Sequence, residues 1–103
     1  MEIIWAYPAI LSLDDIYKYL EEKENFQAIE SLENEIERKE SLISKNPFLG
    51  KRLFEKEEYR SILIDDRNSI IYEPLTTLNK ILILYVWDGR QNPDKLLEIF
   101  LLH

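Results

Sequence analysis

A chain of 103 residues without cysteine is long enough for one domain with a modest core, and it excludes disulfide staples and thiolate metal sites. Thirteen Lys/Arg against twenty Asp/Glu give a net charge of −7, which disfavours tight autonomous binding to nucleic acid, where affinity rests on cation–phosphate contacts. No run reaches the roughly 18 apolar residues of a membrane span, and Met1-Glu2-Ile3-Ile4-Trp5 lacks the basic start and cleavage site of a signal peptide; the expectation is a cytoplasmic protein with no membrane partner.

Ile3-Ile4-Trp5 is a β-prone entry strand. Pro8 suits the first turn of a helix, and Ala9, Leu13, Ile16 and Leu20 recur at helical spacing as one apolar stripe, flanked by Tyr17 and Tyr19. Ser12 with Asp15 also reads as a capping box, but the earlier start keeps Ala9 in the stripe. Glu21 to Asn25 break the helix. A second one runs from Phe26 to about Ile43, with Phe26, Ile29, Leu32, Ile36 and Ile43 inward and mixed charge outward. The two form an αα-hairpin whose stripes need a sheet to cover them. Residues 1–47 carry a net charge of −6 and residues 48–103 a net of −1, so the acid belongs to the entry strand and this hairpin.

Asn46-Pro47-Phe48-Leu49-Gly50 stops the second helix and turns the chain. Residues 51–58 read as irregular. Tyr59–Ile64 and Ser69–Glu73 read as a hairpin around the turn Asp65-Asp66-Arg67-Asn68, and Pro74 to Asn79 as a loop. Ile81-Leu82-Ile83-Leu84-Tyr85-Val86-Trp87 is apolar without alternation and short for a helix, the pattern of a strand covered on both faces. Asp88-Gly89 turns the chain, and Arg90, Gln91 and Asn92 form a polar lip at the strand end. Asn92-Pro93 supplies a cap and a first-turn proline for a closing helix over Asp94–Leu102. The fold class is α+β, in the order β-α-α-β-β-β-α, as a single domain over residues 1–103.

The ordered set resembles the RelE/ParE toxin superfamily of bacterial type II toxin–antitoxin systems. Trp5, Ala9, Leu13, Ile16, Tyr19 and Leu20 fit its opening strand and first helix. Pro47 and Gly50 fit its P-x-x-G turn, Tyr59-Arg60 with Ile62 and Ile71-Tyr72 fit the next two strands, and Ile83, Val86, Asp88 and Arg90-Gln91-Asn92-Pro93 fit the last strand and its exit. The resemblance implies a helical hairpin on an antiparallel sheet and a cognate antitoxin that masks the toxin. It implies one of two actions: inhibition of DNA gyrase by docking, as in ParE-like plasmid-stabilisation toxins, or ribosome-dependent cleavage of messenger RNA, as in RelE-like mRNA interferases.

Metal-free RNA cleavage needs a base, an acid and cations for the phosphorane. Arg60, Arg67 and Arg90 are the candidate cations, and Arg60 and Arg90 match positions where RelE-like relatives keep functional arginines. Each also has a plainer reading: Arg60 balances Glu57 and Glu58, Arg67 balances Asp65 and Asp66, and Arg90 pairs with Asp88 or Asp94. Tyr72, Tyr85 and Glu73 are the acid–base candidates, with packing as their plainer reading; His103, the sole histidine, is terminal. Where nuclease relatives place a tyrosine or histidine after the last strand, this chain has Gly89, Gln91 and Asn92.

The reading is therefore a ParE-like toxin that acts by protein binding, with no cofactor or metal. Arg60, Arg67, Arg90, Gln91, Asn92, Leu97 and Leu101 are expected to meet the target or the antitoxin. Leu97 and Leu101 otherwise pack on the sheet or meet a second copy in a homodimer. The alternatives are a ribosome-dependent endonuclease and an inactive relative that only binds antitoxin. A net charge of −7 predicts an antitoxin that binds through apolar burial or is more basic than usual.

Overall fold

The computed structural model describes residues 1–54 and 56–101, and of residues 56, 57 and 101 the backbone alone. Strand β1 (Glu2–Trp5) leads into helices α1 (Tyr7–Glu22) and α2 (Phe26–Lys45). Strands β2 (Lys51–Leu53), β3 (Lys56–Leu63), β4 (Asn68–Leu75) and β5 (Lys80–Asp88) follow, then helix α3 (Pro93–Leu101). The five strands lie in one sheet in the order β1-β5-β4-β3-β2. All neighbours are antiparallel except β1 and β5, which run parallel from Glu2↔Lys80 to Trp5↔Ile83.

The helical hairpin covers one sheet face. Its apolar stripes meet Ile64, Ile70, Tyr72, Ile81, Ile83 and Val86 in the main core, where Ala9, Leu32, Ile36 and Ile43 are buried and Leu13, Ile16 and Leu20 pack alongside. The opposite face carries a smaller cluster of Ile71, Trp87 and Leu96, the last supplied by α3. Strand β5 is thus apolar throughout because it meets a helix on either side, as its unbroken hydrophobic run predicts.

A β-bulge in β5 reassigns its faces. Ile71 pairs with Tyr85 but Tyr72 pairs with Ile83, so Leu84 is the extra residue. Before it, Ile81 and Ile83 enter the main core; after it, Val86 does, while Trp87 turns to the other face. A strand of perfect alternation could not bury both Ile83 and Val86 on one side.

Helix α1 starts at Tyr7 with Pro8 in its first turn, the earlier of the two starts the sequence offered, so Ser12 is inside the helix and caps nothing at its start. Several other boundaries differ from the sequence expectations. The segment read as irregular contains β2 and the start of β3; β2 is a three-residue edge strand, fixed by backbone pairing to β3 rather than by any side-chain alternation. Strand β4 runs through Pro74 and Leu75 instead of ending at Glu73, and the loop after it is a turn of 3-10 helix, Thr76–Leu78. The described β3–β4 register covers Arg60↔Tyr72 to Leu63↔Ser69, while Pro74 pairs with Ile81 of β5; a proline is tolerated where a strand is flanked on one side. Phe26, expected inward, is 65% exposed. It is the first residue of α2, capped by Asn25, whose Oδ1 accepts from the Ala28 amide at 3.2 Å, and it takes no part in the main core.

Candidate functional site

The chain leaves β5 through a lip whose geometry is set by one carboxylate. Asp88, 9% exposed, accepts from the Arg90 backbone amide at 3.0 Å, from Arg90 Nε at 3.1 Å and from Arg90 Nη2 at 2.6 Å. This bidentate hydrogen bonding holds the Asp88 carboxyl below its usual range against the opposing effect of burial. The Arg90 guanidinium lies over the Tyr19 ring of α1, 5.1 Å from its centroid. Gly89 donates its amide to the Arg67 carbonyl at 2.8 Å, and a Cβ there would sit 2.9 Å from that oxygen. Close backbone approach requires glycine at this position.

That bond ties the lip to the β3–β4 turn. Asp65 Oδ1 accepts from the amides of Arg67 and Asn68 at 2.8 and 2.7 Å, the side-chain-to-backbone closure expected of an aspartate in a turn. Arg67 and Arg90 consequently border one cleft with Tyr19, Asp65, Asp66 and Asn68. Gln91 borders a neighbouring cleft with Asp15, Tyr19, Tyr85 and Arg90. Asn92 caps α3, its Oδ1 accepting from the Asp94 amide at 3.0 Å.

Arg60 is elsewhere. On β3 it pairs with Tyr72 of β4, which in turn pairs with Ile83 of β5. That is roughly 10 Å across the sheet and roughly 15 Å along β5 from the lip, at ordinary strand spacing and rise. Its Nη1 donates to the Gly50 carbonyl at 2.9 Å and to the Phe48 carbonyl at 3.3 Å, and the guanidinium covers the Phe48 ring at 4.9 Å. Arg60 thus holds the Pro47–Gly50 turn. Tyr72 completes that clasp: it is fully buried, its hydroxyl donates to the Pro47 carbonyl at 2.8 Å and accepts from the Gly50 amide at 2.9 Å. Burial, partly offset by the Gly50 amide, raises its pKa.

The other candidates are dispersed. Tyr85 is half-buried against the Ile71–Trp87–Leu96 cluster, and burial, then Asp15, raises its pKa. Glu73 is half-buried on β4 opposite Leu82, and burial, then Glu58, raises its carboxyl pKa. Leu96, rather than the half-buried Leu97, is the buried α3 residue of the cluster, with Phe100 packed against it. His103 and the Leu101 side chain lie outside the described residues. Among the described residues no set of three His, Cys, Asp or Glu side chains converges to hold a metal, and no helix is long and apolar enough to cross a membrane.

Sequence reasoning missed Ser12 and Tyr19. Ser12 Oγ donates to the Ala9 carbonyl at 2.8 Å and accepts from the Val86 amide at 2.9 Å. It thereby satisfies β5 where β1 has ended and the strand lacks a neighbour on that side. The one signal was a hydroxyl three residues beyond Ala9, beside the apolar stripe. Tyr19, 41% exposed, was read as a flank of that stripe; only packing places it beneath Arg90.

The architecture defines a two-layer α+β protein, with a helical hairpin on one face of a mostly antiparallel sheet, a short helix on the other and an arginine-bearing lip at the end of its buried strand. The family profile described as the ParE toxin of the type II toxin–antitoxin system, parDE, matches residues 3–93, nearly the whole chain, and the chain belongs to that family. Comparison with curated proteins gives no match. The family is one of type II toxin–antitoxin toxins and implies a cognate antitoxin as partner. The match includes the lip and ends at the first residue of α3.

Proposed function

We propose that the chain, acting as one domain in the cytoplasm, inhibits a cellular target, DNA gyrase, by docking on it. It would serve plasmid stabilisation and be neutralised by its antitoxin. The observation that carries this reading is the separation of Arg60 from Arg90. A phosphorane needs its cations around one phosphate, whereas Arg60 is held on the Pro47–Gly50 turn and Arg90 on Asp88. The candidate acids and bases support it too: Tyr72 has both hydroxyl bonds occupied within the fold, Tyr85 packs with Ile71 and Trp87 on the opposite sheet face, and Glu73, next to Tyr72 on β4, alternates to the face away from it. The docking surface centres on the lip, where Arg67, Arg90 and Gln91 are exposed.

Induced expression without antitoxin tests the proposal through two readouts, plasmid supercoiling and integrity of translated messages. Altered supercoiling with intact messages is the expected result. Ribosome-dependent cleavage lost by orders of magnitude in Arg90→Ala would establish the endonuclease instead, and no effect on growth would leave an antitoxin-binding module. For a docking toxin, Arg90→Ala weakens target binding without abolishing it, because a rim cation contributes modestly to affinity.

A further inference from the structure

Helix α1 carries two apolar stripes, and the core uses one. Ala9, Leu13, Ile16 and Leu20 face the sheet. Tyr7, Ile10 and Leu11, at the helical spacing that makes a second stripe, are 69%, 49% and 46% exposed. Ile10 and Leu11 line a groove of about 280 Å³ together with Trp5, Leu13, Asp14 and Tyr17. An uncovered apolar face of this kind marks a docking surface.

The charge beside the groove decides what fits it. Trp5 Nε1 donates to Glu40 of α2 at 3.3 Å, which fixes Glu40 at one end. Glu33 lies near Tyr17 at the other, where its charge adds to burial in raising the Tyr17 pKa. Glu37 falls between them, and residues 33, 37 and 40 share one helix face. A row of carboxylates therefore runs along the apolar groove. The lining itself has Asp14, paired with Lys18 at 3.1 Å, while the cations of this stretch of α2 are engaged elsewhere: Arg38 lies 3.9 Å from Glu35 and Lys39 borders another groove with Leu42 and Leu49. A second copy of the chain would bring like charges together.

From this we infer that the groove seats a cationic amphipathic helix, with apolar side chains between Trp5, Ile10 and Leu11 and Lys or Arg along Glu33, Glu37 and Glu40. Resting on the toxin reading, the inference assigns this helix to the antitoxin. The interval from Tyr7 to Tyr17 spans about 15 Å, enough for about three turns of a partner helix.

Two synthetic peptides test it. Each has about 18 residues, long enough to hold a helix alone, with leucine at i, i+3, i+4 and i+7 and either lysine or glutamate elsewhere. Titrated into isotopically labelled protein, the lysine peptide is expected to move amide signals in residues 5–17 and 33–40. The double variant Glu33→Gln/Glu37→Gln weakens it by about fivefold, as two exposed ion pairs should, and salt weakens it as well. Leu11→Asp removes the site; should that variant misfold, the surface glutamine pair still decides. Equal binding of the glutamate peptide, signals moving elsewhere, full affinity in the glutamine pair, or self-association through Leu11 would each overturn the inference. Because the expression assay is run without antitoxin, toxicity there stands or fails independently of this result.

Discussion

Replacing Tyr72 with phenylalanine removes one oxygen atom from a fully buried ring, and the structure specifies what that oxygen does. It accepts from the buried Gly50 amide at 2.9 Å and donates to the Pro47 carbonyl at 2.8 Å. Deleting it strands a buried N–H donor, at about 1–3 kcal/mol, and loses a second bond contributing about 1 kcal/mol, for a total of about 2–4 kcal/mol. In a domain of this size each kcal/mol moves Tm by about 4–8 °C, so the variant should melt about 8–32 °C lower. Chemical denaturation should show a lower midpoint at unchanged slope, since no new surface is exposed in either state. Tyr85→Phe is the control: its hydroxyl has no hydrogen bond among the described residues, and it should stay within about 0.5 kcal/mol of the parent protein. A Tyr72→Phe variant equally close to the parent would refute the assignment of Tyr72 as the clasp of the Pro47–Gly50 turn.

Ser12→Ala leaves the Val86 amide buried without an acceptor and should cost about 1–3 kcal/mol, with faster hydrogen exchange at Val86 as its local signature. Asp88 has a folded pKa depressed chiefly by its hydrogen bonds to Arg90. Its stabilising contribution is therefore present above the unfolded value of about 3.9 and lost as pH falls through the folded value. Melting curves over acid pH should show a shallower decline for Asp88→Asn than for the parent. Gly89→Ala places a Cβ 2.9 Å from the Arg67 carbonyl oxygen, a backbone atom with no rotamer to escape into; a cost of about 1–3 kcal/mol and displaced amide signals around Arg67 are expected in unfolding and NMR measurements. Leu96→Ala should lower stability by about 2–3 kcal/mol and Leu97→Ala by less, in denaturant titrations, because Leu96 is the one seated on Trp87 and Ile71.

The elements of this fold were written in short-range patterns. The stripe Ala9–Leu20, the cap and proline at Asn92-Pro93 and the unalternating run from Ile81 to Trp87 depend on neighbours within a few turns or one strand, and a linear chain carries that information openly. The acidic bias of the hairpin was equally visible. Family resemblance then followed from the order of the elements, and the profile match over residues 3–93 bears it out.

What the site does was decided by contacts between residues far apart in the chain. Whether Arg60 reached a phosphate or a carbonyl depended on Gly50 and Phe48 being folded back over β3. The pairing of Arg67 with Arg90 in one cleft depended on a backbone bond between two turns. Sequence alone left Arg90 with two carboxylate partners to choose from, Asp88 and Asp94, and the tight turn at Gly89 selects Asp88 at 2.6 Å. The bulge at Leu84 decides which apolar side chains of β5 face the hairpin, and it arises from pairing with β4, a partner the strand's own residues do not encode. Local propensity fixes periodicity, but tertiary packing chooses the partner of each polar group, because an unpaired one in the interior is too costly to leave.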